Sequence, residues 1–458
     1  ELQRDLQIPL SVIRKIPSTL RNEDYKVTVT CSEDKMVDIN SGRNESKYGA
    51  VLDIGTTTLA AYILDLNNGK EIYVSSKQNP QMSFGYDVIS RIKHSRDKDN
   101  GLQQLRSAVL KGLNGLIENA IESTKIRADE IYKVVLTGNP TMNHLFLGVD
   151  PTNLDHSPYI PAIDDAVQIS GRESGLQVNR EAEVFTLPSL SGYVGSDILS
   201  GILCTNLYES DELILFVDIG TNGEIVLGNE RKIIAGSTAA GPAFEAANIK
   251  DGMMAKKGAI SHVRLNEDGL DLRVIGNVKP RGICGSGLVD IVGELLKNDA
   301  IAAEGNFSNK PPEYLANRFQ KHNEEIEFLL SSGEEIVTLT QGDVRELQLA
   351  KGAIRAGVEI LLAEIGADFP DIKKVYLAGA FGNYLNKKNA VRIGLLPDEL
   401  EKKISPVGNS AGQGGKLILV NMENMEKIKN IKRRTEYFEL SYCSEFSNKF
   451  MRAIRFPG

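Results

Sequence analysis

At 458 residues, 41% of them hydrophobic and 25% charged, the chain has the make-up of a globular protein that buries one large or two medium cores. Its net charge of −8 argues against a nucleic-acid binder, since a phosphate polymer would be repelled on average. The 4 cysteines lie far apart with no Cys-x-x-Cys pair, which argues against a zinc or iron–sulfur site built from this chain and fits a reducing cytoplasm; no apolar run approaches a membrane span.

Glu1 rather than Met opens the sequence, so a fragment lacking its upstream part is expected. Residues 1–46 read as an appendage: Leu6, Ile8, Leu10, Ile13 and Ile16 suggest a short helix, Tyr25–Thr30 a strand, and the polar stretch Asn40–Lys47 a linker. A first lobe is expected over 47–205. Its first strand runs through Gly49–Leu52 into Asp53-Ile54-Gly55-Thr56, a second through Leu59–Leu66, and a third, after the Asn67-Asn68-Gly69 turn, through Glu71–Ser75. A helical period over 101–124 leads into the strand Ile131–Gly138. Residues 149–188, rich in Pro, Asp and Asn, are expected to wrap the surface.

A second lobe, expected over 206–458, repeats the plan. Leu213–Val217 runs into Asp218-Ile219-Gly220-Thr221, and strands through Gly223–Gly228 and Lys232–Ala235 follow. A strong helix over 343–365 leads into Ile372–Gly379, which shares the pattern Ile-x-Lys-Val-x-Leu-x-Gly with Ile131–Gly138. The second copy is longer, and the insertion is assigned to about 250–342, with 304–336 polar and helical in parts. A strand at Leu417–Val420 and a helix near Glu445–Ile454 are expected in the tail. Two motif pairs in the same order form an internal repeat, and a repeat of this kind sets the fold.

A buried strand that ends in a carboxylate and turns tightly on Gly-Thr suits a metal-bound phosphate. The carboxylate attracts the cation, and glycine lets backbone N–H groups approach the phosphate oxygens. Two such turns, facing each other, could hold a nucleoside triphosphate. Asp53 and Asp218 are therefore the candidate catalytic residues and Mg²⁺ ligands, direct or through water, and one of them could orient an attacking water; a plain turn aspartate is the alternative. Gly55, Thr56, Thr57, Gly220, Thr221 and Asn222 are candidate phosphate contacts.

Gly379-Ala380-Phe381-Gly382 follows a buried strand, and Gly379, Ala380 and Gly382 permit the close approach an adenine or ribose needs. Ala239–Glu245 looks like a helix start with Pro242 in its first turn, where Gly241 could meet an anion. Glu245 either accepts bonds from ribose hydroxyls or complements the helix dipole. Gly285 and Ser286 open an apolar helix and either cradle a phosphate or nucleoside or simply cap it. Ser237 and Thr238, at a strand end, are candidates to touch a substrate or partner. Gly412-Gln413-Gly414-Gly415-Lys416 is not a P-loop: the first glycine is missing at the required distance, and Leu417 stands where Ser or Thr belongs.

The paired Asp-Ile-Gly-Thr turns and the later Gly379-Ala380-Phe381-Gly382 resemble the acetate and sugar kinase, heat-shock chaperone and actin superfamily. More narrowly, residues 48–456 resemble the reductive activators of corrinoid proteins through Asp53–Thr58, Asn79–Gln81, Gly85–Ile92, Thr137–Asn143, Ala239–Glu245 and Gly379–Asn383. The resemblance implies an α/β fold of two ribonuclease H-like lobes, duplicated ββαβ-type units with mixed sheets, around a nucleotide cleft and behind a short N-terminal appendage. It implies ATP and Mg²⁺ as ligands, and ATP hydrolysis that drives an inactive Co(II) corrinoid to methyl-accepting Co(I). In that family the electron comes from an N-terminal [2Fe–2S] domain, which is missing here; residues 1–46 resemble the end of the linker before the ATPase region. The implied partner is a corrinoid protein of a methyl-transfer system, and the implied assembly is a cytoplasmic homodimer that binds neither nucleic acid nor membrane. A small-molecule kinase and an ATP-switched, chaperone-like scaffold are the rival classes. A radical-dehydratase activator would need a cysteine pair for an exposed cluster, and no suitable pair is present.

Overall fold

The computed structural model describes residues 5–266, 269–322, 325–332, 335–379 and 384–457. The chain forms two compact units, 1–200 with 411–432 and 201–410 with 433–458. The strands of their main sheets are β1 Tyr48–Ile54, β2 Thr58–Asp65, β3 Lys70–Gln78, β4 Ile131–Gly138, β5 Val167–Ser170, β6 Glu183–Thr186, β7 Ile214–Ile219, β8 Gly223–Gly228, β9 Ile233–Thr238, β10 Lys374–Gly379, β11 Ile404–Gly408 and β12 Thr435–Tyr437. The helices that matter below are α1 Val88–Asp97, α2 Gly101–Thr124, α3 Pro140–Leu147, α4 Ser196–Thr205, α5 Gly285–Lys297, α6 Gln341–Ile365 and α7 Ser410–Val420.

The sheet of the first unit has the order β3-β2-β1-β4-β6-β5, and that of the second β12-β9-β8-β7-β10-β11. Five strands of each therefore repeat one plan. Three antiparallel strands come first, then a fourth parallel to the first and a fifth parallel to the fourth. A parallel fourth strand needs a long crossover, which α2 supplies in one unit and α6 in the other.

In the first unit α2 presents Leu105, Val109, Leu113, Leu116 and Ile117 to Ala50, Leu52 and Ile54 of β1, all of them buried. The opposite face of that sheet is covered by α7. A Cβ at Gly412 would stand 2.5 Å from the Tyr62 ring, and one at Gly415 would stand 2.6 Å from Val51, so the bare glycines let the helix lie close on the strands. This contact corrects two expectations. Residues 417–420 are helical rather than a strand, and 411–432 belong to the first unit rather than with the rest of the C-terminal half. The glycine run that superficially suggests a P-loop is a packing face.

In the second unit α6 is capped at both ends, by the Thr340 hydroxyl accepting from the Asp343 N–H at 3.0 Å and by Gly366 with φ +68°. Its Ile354 and Gly357 pack against Gly223 and Ile225 of β8. The inserted stretch holds two small three-stranded sheets, Ala259–Asn266 with Gly269–Val274 and Gly282–Ile283, and Phe319–His322 with Glu325–Ser331 and Val337–Thr340. Residues 304–336, expected to be helical in parts, carry among the described residues one short helix, Glu313–Ala316, and the strands Phe319–His322 and Glu325–Ser331. The aromatic cluster of Phe307, Phe319 and Phe328, with centroids 5.5 and 5.1 Å apart, seats the hairpin on the core. Residues 149–188 likewise do more than wrap the surface, since they supply β5 and β6.

The N-terminal appendage packs within the first unit as helices Leu10–Ile13 and Ile16–Arg21 and the hairpin Val27–Ser32/Lys35–Ser41. Its buried Asp38 accepts from Lys15 at 2.8 Å, from the Tyr132 hydroxyl at 3.2 Å and from Asn179 at 3.2 Å, which ties appendage to sheet.

Gly415→Val should destabilise the protein by about 1–3 kcal/mol through overpacking. Gly342→Ala, on an exposed position of α6, should stabilise it by about 0.5 kcal/mol. Chemical denaturation of the two variants checks the pair, and equal midpoints would contradict the packing role of α7.

Candidate functional site

In the first unit β1 and β4 run side by side so that Asp53 pairs with Thr137 and Ile54 with Gly138. Ligands of open α/β sheets gather at the carboxyl ends of parallel strands, and Asp53 lies at such an end. The Thr137 hydroxyl donates to Asp53 at 3.1 Å. The following turn is tight: a Cβ on Gly55 would stand 2.5 Å from the Thr58 carbonyl oxygen. Its three carbonyls are bound in succession, that of Gly55 by the Asn79 side chain at 2.9 Å, that of Thr56 by Arg91 at 2.6 Å, and that of Thr57 by the Asn79 N–H at 2.8 Å. A trans peptide sends its N–H opposite to its C=O, so the N–H groups of Thr57 and Thr58 point away from these anchors. Asn139 donates to the Thr56 hydroxyl at 3.0 Å while its own side chain caps α3 by accepting from the Met142 N–H at 3.0 Å.

Asp197, not singled out from sequence, belongs to the same site. It lies in the first turn of α4, half-buried, and its carboxyl is pushed up to about 7 by burial and, second, by the charge of Asp53. Ser196 pins this helix end to the sheet by donating to the Gly138 carbonyl at 2.9 Å and accepting from its N–H at 3.0 Å. The signal was available: Gly195-Ser196-Asp197 ahead of an apolar helical run reads as a helix start. Tyr62 is near as well. Burial first, then the charges of Asp53 and Glu71, hold its phenol protonated far above the usual range.

The second unit repeats the geometry with different neighbours. Asp218 pairs with Ala378 of β10, and Ile219 with Gly379. Gly379 has φ +88°, and a Cβ there would stand 2.4 Å from an Asp218 carboxylate oxygen, so glycine is required beside the acid. On the other side Asp218 pairs with Glu224 of β8, which in turn accepts from the Ser237 hydroxyl at 3.3 Å. Glu224, also missed from sequence, puts a second carboxylate directly across from Asp218, an arrangement that destabilises a sheet unless a cation relieves it. The turn closes with the Gly220 N–H donating to the Asn222 carbonyl at 2.9 Å, and the Thr221 hydroxyl donates to Glu245 at 2.7 Å. The geometry brings Asp218, Gly220, Thr221, Asn222, Glu245 and Gly379 together. Burial and the Asp218 charge push the Cys204 thiol up to about 12, which leaves it protonated.

Other expectations change. Pro242–Glu245 is a single 3₁₀ turn ending in a left-handed Ala246, not the start of an α-helix. Gly241, with φ +77°, has no atom within 4 Å of a notional Cβ, so the backbone there is open to approach. Gly285 and Ser286 do start α5, but as packing groups. A Cβ on Gly285 would overlap the Phe244 carbonyl oxygen, and the buried Ser286 hydroxyl donates to the Ser261 carbonyl at 3.1 Å. Ser237 is held by Glu224, and Thr238 is buried. Ala380 and Gly382 lie outside the described residues.

The second unit also holds a polar cavity of about 670 Å³. Its floor is Asp290 and Glu294 of α5, both buried, with His262 at 3.1 Å and Asn389 at 2.8 Å from Asp290. Lys297, Lys388 and Arg392 add positive charge around it.

Within each unit the chemistry of the donor set, Asp53 beside Asp197 in one and Asp218 beside Glu224 in the other, is of the kind phosphate-bound magnesium takes, one or two carboxylates with the rest from phosphate and water. The like-charge crowding at Asp53/Asp197 and Asp218/Glu224 is the structural ground for that fit. Among the described residues no group of three or more His, Cys, Asp or Glu could cage a metal by itself. No described helix is long and apolar enough to cross a membrane.

Three family descriptions match the chain in order: the RACo linker region over residues 1–46, the RACo middle region over 48–210, and the C-terminal domain of RACo, the ASKHA domain, over 212–458. The corrinoid activation enzyme RamQ of Eubacterium limosum is 34% identical, over 98% of this chain and 80% of that protein. The [Co(II) methylated amine-specific corrinoid protein] reductase of Methanosarcina barkeri is 24% identical, over 88% and 76%. The solved structure of a reductive activator for corrinoid, iron–sulfur protein superposes with a TM-score of 0.92 at 37% identity, covering 100% of this chain and 74% of that one. The fold is accordingly the actin-like, ribonuclease H-like ASKHA fold with a short N-terminal linker region, and the chain belongs to the RACo family of reductive activators of corrinoid proteins.

Proposed function

We propose that this chain binds and hydrolyses ATP with Mg²⁺ and uses the cycle to drive reduction of an inactive Co(II) corrinoid to Co(I) on a partner protein. The electron would come from a [2Fe–2S] domain that these 458 residues do not contain. The observation that carries the reading is the duplicated acidic turn, Asp53 with Gly55–Thr57 and Asp218 with Gly220–Asn222, each at the carboxyl end of a first strand paired to a parallel fourth. The corrinoid half of the reading is supported by the relatives, which act on corrinoid proteins. The 4 free cysteines are consistent with work in a reducing cytoplasm.

In this reading the N–H groups of Thr57 and Thr58 and the hydroxyl of Thr56 bind phosphate oxygens, while Thr221, whose hydroxyl proton goes to Glu245, fixes the second turn. Asp53 and Asp218 hold the metal directly or through water, and one of the neighbouring acids, Asp197 or Glu224, orients the attacking water. Bound Mg²⁺ would neutralise phosphate charge and relieve the crowded carboxylates. The affinity difference between nucleotide states is what ATP can contribute to partner docking, because a ligand shifts an equilibrium only by its differential affinity for two states. The cavity over Asp290 and Glu294 is assigned to the nucleoside end on its size, which lies in the usual ligand range, and on the cations Lys297, Lys388 and Arg392 around it.

Asp53→Ala and Asp218→Ala should each abolish phosphate release from ATP while the melting temperature stays near wild type. Full turnover in both variants would remove the two aspartates from the mechanism. Lys388→Glu, an exposed substitution at the cavity, should weaken ATP binding about tenfold by charge reversal, read by calorimetric titration. The third expectation concerns pH. The Asp197 carboxyl is raised from its ordinary 3.8 to about 7, so the folded state holds that proton more tightly than the unfolded chain. Stability from this group is complete below about pH 4 and falls as pH rises through about 7. In magnesium-free buffer Asp197→Asn should therefore match wild type near pH 4 and exceed it by about 1–3 kcal/mol near pH 8. Parallel stability curves across that range would show that the fold does not raise the Asp197 carboxyl.

A further inference from the structure

We propose that Arg91 is a positioning residue for the phosphate-binding turn, its buried guanidinium fixing the Thr56 carbonyl and setting a positive charge behind the turn. This rests on the nucleotide reading above and extends it to a residue outside the turn. Arg91 sits on α1 and is wholly buried. Its guanidinium donates to the Thr56 carbonyl at 2.6 Å, the Gly85 carbonyl at 2.9 Å, the Gln81 side-chain oxygen at 3.2 Å and the Met142 sulfur at 3.2 Å. All four acceptors are neutral. The carboxylate whose charge it feels, Asp87, is engaged in capping α1, where it accepts from the Ser90 N–H at 2.7 Å. Among the described residues Arg91 forms no ion pair, and a guanidinium lowered to about 10 by burial is still charged at neutrality.

A buried cation without a counter-charge is costly, and structures keep such groups where something else offsets the cost. Here the groups that the guanidinium touches offer only dipoles, and Asp87, whose charge it feels, is engaged in its helix cap. The far side of the turn, where the Thr57 N–H points opposite to the Thr56 carbonyl that Arg91 holds, is where an anionic ligand would add negative charge. An anion there completes a line from guanidinium through peptide dipole to phosphate. A lysine would carry the charge, but only the planar fork reaches Thr56, Gly85 and Gln81 together. Gln81 is itself fixed by donating to the Leu105 carbonyl at 3.0 Å, so the fork is held from both sides.

The test is a ratio of affinities. ATP and adenosine are each competed against a fluorescent ATP analogue on the 458-residue chain, for wild type, Arg91→Gln and Arg91→Lys. Arg91→Gln should cut the preference for ATP over adenosine about tenfold or more, leaving adenosine affinity within about twofold. Arg91→Lys, which keeps the charge, should retain the preference within about threefold. A purely structural arginine would lower the melting temperature of both variants and leave the ratio unchanged, and that result overturns the proposal. If Arg91→Gln does not fold, Arg91→Met, which keeps much of the length without the charge, takes its place with the same two outcomes. Wild type that binds ATP no better than adenosine overturns the nucleotide reading itself, a failure separate from that of Arg91.

Discussion

The structure depends on one pairing, that of a strand ending in aspartate with a parallel neighbour ending in glycine. The register sets Ile54 beside Gly138 and Ile219 beside Gly379, one residue after each aspartate. In the second unit the consequence is steric, because no side chain fits beside the Asp218 carboxylate at position 379. Parallel pairing demands the crossover helix, and the helix must bury the sheet face from which the aspartate strand takes its stability. The apolar runs into Asp53 and Asp218 are therefore the same physical feature as the long periods of α2 and α6. Each acid is carried to the edge of a fully buried strand and left half-exposed there.

The two copies then diverge in what surrounds the acid. Asp53 meets a neutral donor, Thr137, in the parallel neighbour, and the carboxylate that crowds it comes from a helix end, at Asp197. Asp218 meets Ala378 in that position, and its crowding carboxylate, Glu224, comes from the antiparallel neighbour. The second acid thus arrives by different routes at equivalent strands. A repeat kept only for folding would not need either one, since each adds like-charge repulsion to an already desolvated site. Retention of a carboxylate pair in both copies, from non-equivalent positions, is what a shared demand for a bound cation would produce.

Much of this was legible because the informative residues are local. An apolar run, a carboxylate and Gly-Thr occupy consecutive positions, and the helices 101–124 and 343–365 carry a strong period, so strand, turn and crossover could be read directly. What escaped was set by tertiary contact. β5 and β6 are four residues each, too short to show an alternation, and they follow a Pro-rich stretch that reads as loop. Leu417–Val420 has strand-like residues, yet it continues a helix whose interior glycines are dictated by Tyr62, Ser200 and Val51. Glu224 and Asp197 are ordinary in sequence, and only pairing register and helix placement bring them to Asp218 and Asp53. Arg91 lies 38 positions after Asp53 on a helix whose remaining surface is mostly polar, and nothing local announces that it turns inward to the Gly55–Thr57 turn.

The first unit therefore holds charges of both signs around one turn. Arg91 lies behind the turn with neutral acceptors only, while Asp197 and Asp53 stand in each other's field on the other strand end. Mutual neutralisation would be the cheaper solution for stability, and the fold prevents it: the guanidinium is locked to carbonyls on α1's side, and Asp197 is fixed by the Ser196 anchor at Gly138. A ligand that is anionic toward the turn and cationic toward the acids satisfies both at once. A metal-chelated phosphate chain has that polarity, and a free sugar or a lone metal does not. Charges held apart in this way cost the empty protein stability, and they favour the complex without any rearrangement when it binds.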